Sequence, residues 1–340
     1  MPASRKKKIF IILIFFAALS AAYFFYFRYQ VYHSKGSYKA IKIFKIEKGE
    51  RNGSIAGRLI KESLIANKLQ FYYYLKTHDL INKILPGDYE IGGNMTIPEI
   101  ASIITEEQNK FLKVTFPEGW DSKKIAERLS ANGFFGDEFL DIVKNPPAEL
   151  TNRYSFFSML AKGASLEGYL FPDTYFFSRK MNTEDIAKRI LANFDNKLTP
   201  DLREEIKKQG KTLEDVIAMA SIIEREVNSE EDRKMVSGIF WNRIKNKQPL
   251  QSCATISYVL GVNKKQYSFE DTRIQSLYNT YINKGLPPGP ISNPGIFSIK
   301  AAVYPEETSY NYFLSDPETG KTIFSRTIEE HNANKLKFGL

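Results

Sequence analysis

The 340-residue chain reads as an α+β protein, with an N-terminal membrane anchor, small α+β modules, and then a mixed α/β domain rich in helices. Three observations predict this. A basic cluster precedes a long apolar run at the N-terminus, and one strand–turn–helix pattern occurs twice. From about residue 150, longer amphipathic helices alternate with Gly-, Pro- and Asn-rich loops.

The anchor comes first. "RKKK" at 5 to 8 closes a basic tail (1–8) and precedes the uncharged run Ile9–Phe27. As a helix this run spans roughly 28 Å at about 1.5 Å per residue, close to the hydrocarbon thickness of a bilayer. Basic residues before the span predict an N-terminus inside and a body outside. A cleaved signal peptide is the competing reading, since "SAA" at 20 to 22 resembles a cleavage site. The apolar run nevertheless continues into Phe24–Phe27, as an aromatic interface anchor does. Residues 28–40 then read as a polar tether.

Charge and composition exclude several functions. The net charge of +9 comes mostly from residues 1–40, which hold seven basic residues and no acids. The remaining 41 basic and 39 acidic residues nearly cancel, so the body has no electrostatic footprint for nucleic acid. A single cysteine, Cys253, allows no internal disulfide. The histidines His33, His78 and His331 are scattered and form no zinc-ligand motif, so no metal or other cofactor is expected. Phosphate-cradling glycine motifs are absent, and nothing supplies a nucleophile–base triad.

The repeat organises the next region. "EKGERNGSIAGRL" (47–59) and "PEGWDSKKIAERL" (117–129) share G-x5-I-A-x-R-L, each after a strand-like run. Each unit predicts a strand, a turn at Gly49 or Gly119, and an amphipathic helix carrying Ile55 and Leu59, or Ile125 and Leu129. The expected pieces are a subdomain at 41–110, a second small α+β unit at 111–150, and the helix-rich domain at 151–340. Between the two copies lie an aromatic helix (69–78), a strand (86–91) and a helix opened by Thr96. The cluster Phe71, Tyr72, Tyr73 and Tyr74 suits a core or a sugar-stacking face. In the last region, Thr212 and Ser229 read as N-caps of helices reaching about Val227 and Asn246, and 309–325 reads as a hairpin turning at Pro317–Gly320.

The segment "ASIIEREV" sets Glu224 and Glu226 in an otherwise apolar helix. At 100° per residue their side chains diverge by about 200°, on opposite shoulders of the stripe formed by Val216, Ala220, Ile223 and Val227. They therefore cannot form the roughly 5 Å carboxylate clamp of a retaining glycosidase. Either one glutamate works alone, or its partner comes from another segment such as Glu167 or Asp173, or both are boundary residues paired with Arg or Lys. Glu224 shares its side with Ile217 and Ala220, which predicts partial desolvation and a carboxyl group held protonated as a general acid.

"SLEGYLFPDTYFF", "MASIIEREV", "IFWNRI", "LQSCAT", "YNTYINKGLPPGPISNPG" and "IEEHN", in this order behind an anchor, closely resemble the YceG-like family of endolytic murein transglycosylases. The resemblance implies a single-pass inner-membrane protein that cleaves peptidoglycan glycan strands, a LysM-like 41–110 region, and catalysis in the C-terminal half. It implies Glu224 as the catalytic acid and Glu226 in a supporting role. It also carries over Glu167 and Asp173, Asn242 and Arg243, Gln251, and Tyr278, Asn279 and Tyr281 as substrate-binding candidates. Peptidoglycan synthases and division or elongation proteins are the partners it suggests; nucleic acid is not one. The chain departs from the family pattern at Cys253, commonly Asp, and at Lys321, commonly His.

A lytic transglycosylase needs one carboxyl group, because the C6 hydroxyl of MurNAc closes on C1 as an internal nucleophile. Two rivals stay open at this stage. One is a water-dependent muramidase using Glu224 with Glu167 or Asp173; the other is a membrane-tethered, non-catalytic peptidoglycan-binding scaffold.

Overall fold

The computed structural model describes residues 3–35, 41–107, 110–264 and 266–339. Two compact units emerge, residues 1–113 with 176–180, and residues 114–175 with 181–340. The boundary expected at 150 does not separate compact units, because residues 114–175 pack with the C-terminal region.

The first unit begins with α1 (Ala3–Tyr32), followed by β1 (Ile41–Ile46), α2 (Asn52–Lys61), α3 (Lys68–Thr77), β2 (Gly87–Gly92), α4 (Ile97–Thr105) and β3 (Phe111–Thr115). Within α1, Phe10–Tyr32 is long and apolar enough to cross a membrane. The helix continues past the expected end at Phe27, through the first residues of the expected tether. Val31 is fully buried in this unit's core, and the Gln70 amide donates to Gln30 Oε1 at 2.6 Å, so the extra turn is held by packing. Burying a valine contributes about 1.5–3 kcal/mol. The rest of the tether at 36–40 and the side chains of Arg5, Lys6, Lys7 and Lys8 lie outside the described residues.

β1 and β2 pair antiparallel, Lys42 opposite Ile91 and Ile46 opposite Gly87, and β2 meets β3 at Asp88 and Phe111. Alternation puts Phe44 and Ile46 of β1 into the core with Ile55, Leu59, Phe71, Ile100 and Ile104. Thr96 caps α4 with a reciprocal capping box to Glu99. Of the aromatic cluster, Phe71 is core, whereas Tyr73 is 39% exposed.

The second unit continues with α5 (Ser122–Ala131), α6 (Gly136–Lys144), α7 (Ala148–Thr151), β4 (Thr174–Ser178), α8 (Thr183–Lys197), α9 (Pro200–Lys208), α10 (Leu213–Glu226), α11 (Glu230–Lys245), α12 (Cys253–Leu260), α13 (Ile296–Val303), β5 (Tyr312–Ser315), β6 (Thr322–Ser325) and α14 (Ile328–Lys337). Residues Phe176–Lys180 of β4 and its end return to the first unit, whose sheet runs β1-β2-β3-β4 among the described residues. The second repeat copy opens the unit with the predicted form. Gly49 and Gly119 both take a left-handed turn, at φ 80° and 75°, and Ile55, Leu59, Ile125 and Leu129 are all buried.

At the centre lies α10, packed on α11, α12 and α13. Thr212 and Asp215 form its capping box, and Val216, Ile217, Ala220 and Ile223 are fully buried. β5 and β6 form the expected hairpin, with Tyr312 opposite Ser325, and α14 packs on it. His331 stacks on Tyr312 at 5.2 Å, a structural place.

Candidate active site

The site is assembled where a loop is strapped onto α10. Ser221, buried in α10, accepts the Ile291 N–H at 3.0 Å, and its carbonyl accepts the Ser292 hydroxyl at 3.0 Å. This fixes the "ISNPG" loop so that the Gly295 N–H, at the start of α13, donates to Glu224 Oε2 at 2.9 Å. From α11, capped by Ser229, Arg233 Nη2 donates to Glu224 Oε1 at 2.8 Å. The Glu224 side chain is 4% exposed and that of Arg233 9%. The Glu224 side chain is thus withdrawn from water and paired with an arginine, as the alternative of a boundary residue bonded to Arg or Lys expects. One of its oxygens accepts from the guanidinium and the other from a backbone N–H.

A second carboxyl group approaches from the turn between β3 and α5. The Gly119 N–H donates to the Asn293 carbonyl at 3.0 Å, and the Asn293 N–H to the Trp120 carbonyl at 2.8 Å, which pins the "PEGW" turn to the same loop. Glu118 consequently lies 3.8 Å from Arg233 Nη2. A methyl group added to Gly295 would come within 1.8 Å of Glu118 Oε1, so glycine is required for this approach. Burial and then the charge of Glu224 push the Glu118 carboxyl above the usual carboxylate range, with Arg233 opposing. Glu118 is absent from the residues expected from sequence. The signal was available in the repeat, where the first copy has Lys48 at the same position.

Glu226 leaves α10 on another side, as its spacing requires. Its Oε1 accepts the Ser252 hydroxyl and, at 3.4 Å, the Ala254 N–H at the start of α12. Burial pushes this carboxyl upward. Between the two glutamates Arg225 reaches Ser257 and Asn263, both at 2.7 Å. Glu118, Glu224, Glu226, Arg225, Cys253, Asn263, Lys264 and Tyr267 line an open cleft of about 360 Å³. A larger concavity of about 940 Å³ between Lys144 and Ala164 has no carboxylate in its lining. Among the described residues no His/Cys/Asp/Glu group is arranged to hold a metal ion.

The other expected substrate contacts are mostly turned into the fold. Glu167 accepts the Ser122 N–H at 3.1 and 3.0 Å, the Ser122 hydroxyl at 2.6 Å and the Asn293 amide at 2.9 Å, tying the start of α5 to the strapped loop. Burial pushes its carboxyl up to about 7. Asp173 is exposed and accepts the Asn193 amide of α8 at 3.0 Å. Neither joins Glu224 in the cleft lining. Asn242 donates to the Thr308 carbonyl at 3.2 Å, and Arg243 to the carbonyls of Leu250 and Asn311 at 2.6 and 2.8 Å. The fully buried Asn279 bonds the carbonyls of Thr272 and Ile274 and the Tyr281 N–H, holding its own loop. Tyr278 packs on Tyr258 with ring centroids 5.0 Å apart.

Two candidates flank Cys253 of the cleft lining, Tyr281 by a hydrogen bond and Gln251 two residues away in sequence. Tyr281 meets Cys253 Sγ through its hydroxyl at 3.0 Å, beside the cleft. The exposed Gln251 adopts a left-handed φ of 55°, uncommon for a residue with a side chain. Lys321 lies at the hairpin turn, where its carbonyl accepts the Asp316 N–H at 2.9 Å.

A buried carboxylate held by a guanidinium thus lines an open cleft in a protein of mixed helix and sheet that also carries an apolar N-terminal helix. The chain belongs to the YceG-like family, whose model matches residues 44–337. It is 32% identical over 306 residues to the endolytic murein transglycosylase of Bacillus subtilis (strain 168), covering 86% of this chain and 83% of that protein. The enzyme of the same name from Streptococcus pneumoniae serotype 2 (strain D39) is 29% identical over 316 residues, with 85% of this chain and 57% of that protein covered. The crystal structure of a YceG-like protein from Listeria monocytogenes superposes with a TM-score of 0.61 at 34% identity, covering 87% of this chain and all of that one.

Proposed function

We propose that this chain is a membrane-anchored endolytic lytic transglycosylase that cleaves the MurNAc–GlcNAc bond of peptidoglycan glycan strands and leaves 1,6-anhydro-MurNAc ends. The observation that carries the mechanism is Glu224, set at the cleft between Arg233 and the Gly295 N–H. Protonated Glu224 gives its proton to the glycosidic oxygen as that bond breaks. The carboxylate so formed is stabilised by the two donors already aimed at it. It then takes the proton of the MurNAc C6 hydroxyl as that oxygen closes on C1, which restores the acid. Glu118 keeps a second carboxyl group beside Glu224, its pKa raised by burial and by the charge of Glu224. Glu226 braces α10 against α12, while Gln251 and Tyr281 contact the strand; the Tyr281 bond to the cleft residue Cys253 supports this.

Basic residues before the apolar run support an N-terminus in the cytoplasm and a body outside the cell membrane. The 41–110 region acts as a LysM-like glycan-binding module, and residues 114–175 with 181–340 carry the catalytic cleft. Synthesis, division or elongation proteins are the partner class that acts on the same strands.

One observation favours a second reading, a water-dependent muramidase. Glu118 and Glu224 contact a common nitrogen at 3.8 and 2.8 Å, so their nearest oxygens are at most about 6.6 Å apart. Two-carboxylate glycosidases separate their groups by about 5–5.5 Å or 6.5–9.5 Å. Mass spectrometry of products from purified sacculi decides between them. Anhydro ends support the transglycosylase, whereas reducing ends, one water heavier, would overturn it in favour of the muramidase.

A further inference from the structure

The aromatic helix α3 has a face that neither the core nor the cleft uses. Leu69 is 68% exposed and Tyr73 39%, and at i and i+4 they form one stripe. The neighbouring stripe, Gln70 and Tyr74, packs on α1. Gln70 bonds Gln30 at 2.6 Å, and Tyr74 meets Tyr32 with ring centroids 6.3 Å apart. Tyr73 instead meets Phe27, edge to face at 5.2 Å. The two stripes of α3 therefore map onto α1 in order, with the exposed stripe at the level of Phe27 and the packed stripe nearer the helix end.

That order has a direction relative to a bilayer. The apolar stretch Phe10–Tyr32 is about 34 Å long at 1.5 Å per residue, slightly more than the roughly 30 Å hydrocarbon core. Its last turn therefore lies at the headgroup boundary, and Phe27 just within the hydrocarbon. The exposed stripe of α3 is on the membrane side of the packed one. Around the same level α1 exposes Phe24, Phe25, Tyr26 and Tyr29, a collar of rings suited to an interface.

We propose that Leu69 and Tyr73 rest in the interfacial layer of the bilayer crossed by α1, so that the first unit lies against the lipid surface. The occupant is lipid, argued from the continuity of this stripe with the apolar span through the Phe27–Tyr73 contact. The inference rests on the membrane-anchor reading proposed above.

The test uses the full chain in phosphatidylethanolamine/phosphatidylglycerol nanodiscs, in a Cys253→Ser background whose circular dichroism matches wild type. Spin labels are attached through Leu69→Cys, Tyr73→Cys, Lys61→Cys on α2 and Ala18→Cys within the span. Collision with dissolved oxygen and with a water-soluble nickel chelate is then measured. Labels at 69 and 73 should favour oxygen several-fold over the label at 61, approaching the label at 18. Nickel access at 69 and 73 equal to that at 61, with 18 still lipid-exposed, overturns the inference alone. Nickel access at 18 overturns the anchor reading together with it. Nickel access at 69 and 73 that is lost only when soluble glycan strands are added assigns the face to sugar and also overturns it.

Discussion

Glu224 and Arg233, on consecutive helices, are joined by a 2.8 Å contact with both side chains almost wholly buried. A pair removed from water in this way is sensitive to the loss of either member, because the survivor is left as an uncompensated charge. Replacing Arg233 with Met should therefore cost about 3–5 kcal/mol of stability, read as a drop in urea midpoint, and should also abolish cleavage. A variant that cleaves normally would remove Arg233 from the site.

Glu224→Gln keeps the shape and an acceptor oxygen but cannot release a proton. Cleavage of sacculi should fall by about 10²- to 10⁴-fold, the usual contribution of general acid catalysis. Glu226→Gln, which keeps an acceptor oxygen for the Ser252 hydroxyl, should retain activity. Normal activity in the first variant, or loss only in the second, would transfer the catalytic assignment.

Glu118→Gln tests the second carboxyl group through its pH dependence. Burial and Glu224 raise the Glu118 pKa, so as pH climbs through that value a second negative charge appears beside Glu224. In wild type this should produce a fall in activity as pH rises, and in Glu118→Gln the fall should vanish or move. An unchanged profile would leave Glu118 a structural residue only.

Glu167 predicts a stability term of the same sign. Its folded carboxyl holds a proton to about 7, whereas the unfolded group releases it near 4.5. Between those values the folded state binds the extra proton, so stability falls as pH rises from about 4.5 to about 7 and is level above. The full span is on the order of 3 kcal/mol. Thermal melts across this range should show a slope in wild type that Glu167→Gln lacks.

Two glycines separate packing from chemistry. A Cβ on Gly295 meets the end of the Glu118 side chain, which can swing away, so Gly295→Ala should fold and lose activity. A Cβ on Gly168 lies 2.4 Å from Pro290 Cγ and 2.8 Å from Ile217 Cγ2, at φ 90°. Gly168→Ala should lower the melting temperature markedly, by the 1–3 kcal/mol or more of a strained, overpacked position. Equal melting temperatures for the two variants would contradict this division.

Much of the scaffold is legible in the residues themselves. The apolar run, the repeated turn with its left-handed glycine and buried Ile and Leu, the caps Thr96, Thr212 and Ser229, and the hairpin at Pro317–Gly320 all rest on interactions within a few residues. The opposite placement of Glu224 and Glu226 follows from the helical period alone. The end of α1 was not legible, because a polar-looking segment stays helical only where Val31 and Gln30 find α3.

The partner of Glu224 was decided by tertiary structure. Glu167 and Asp173 looked equally able to supply it, yet the first is consumed at the start of α5 and the second faces Asn193. The carboxyl group found beside Glu224 is that of Glu118, because the loop carrying Asn293 and Gly295 is strapped to Ser221 and bonds the "PEGW" turn. Local periodicity determined which way each glutamate points, since that depends only on helix geometry. What each one meets depends on loops and helices distant in sequence, and only the packing of those elements decides which charges share a cleft.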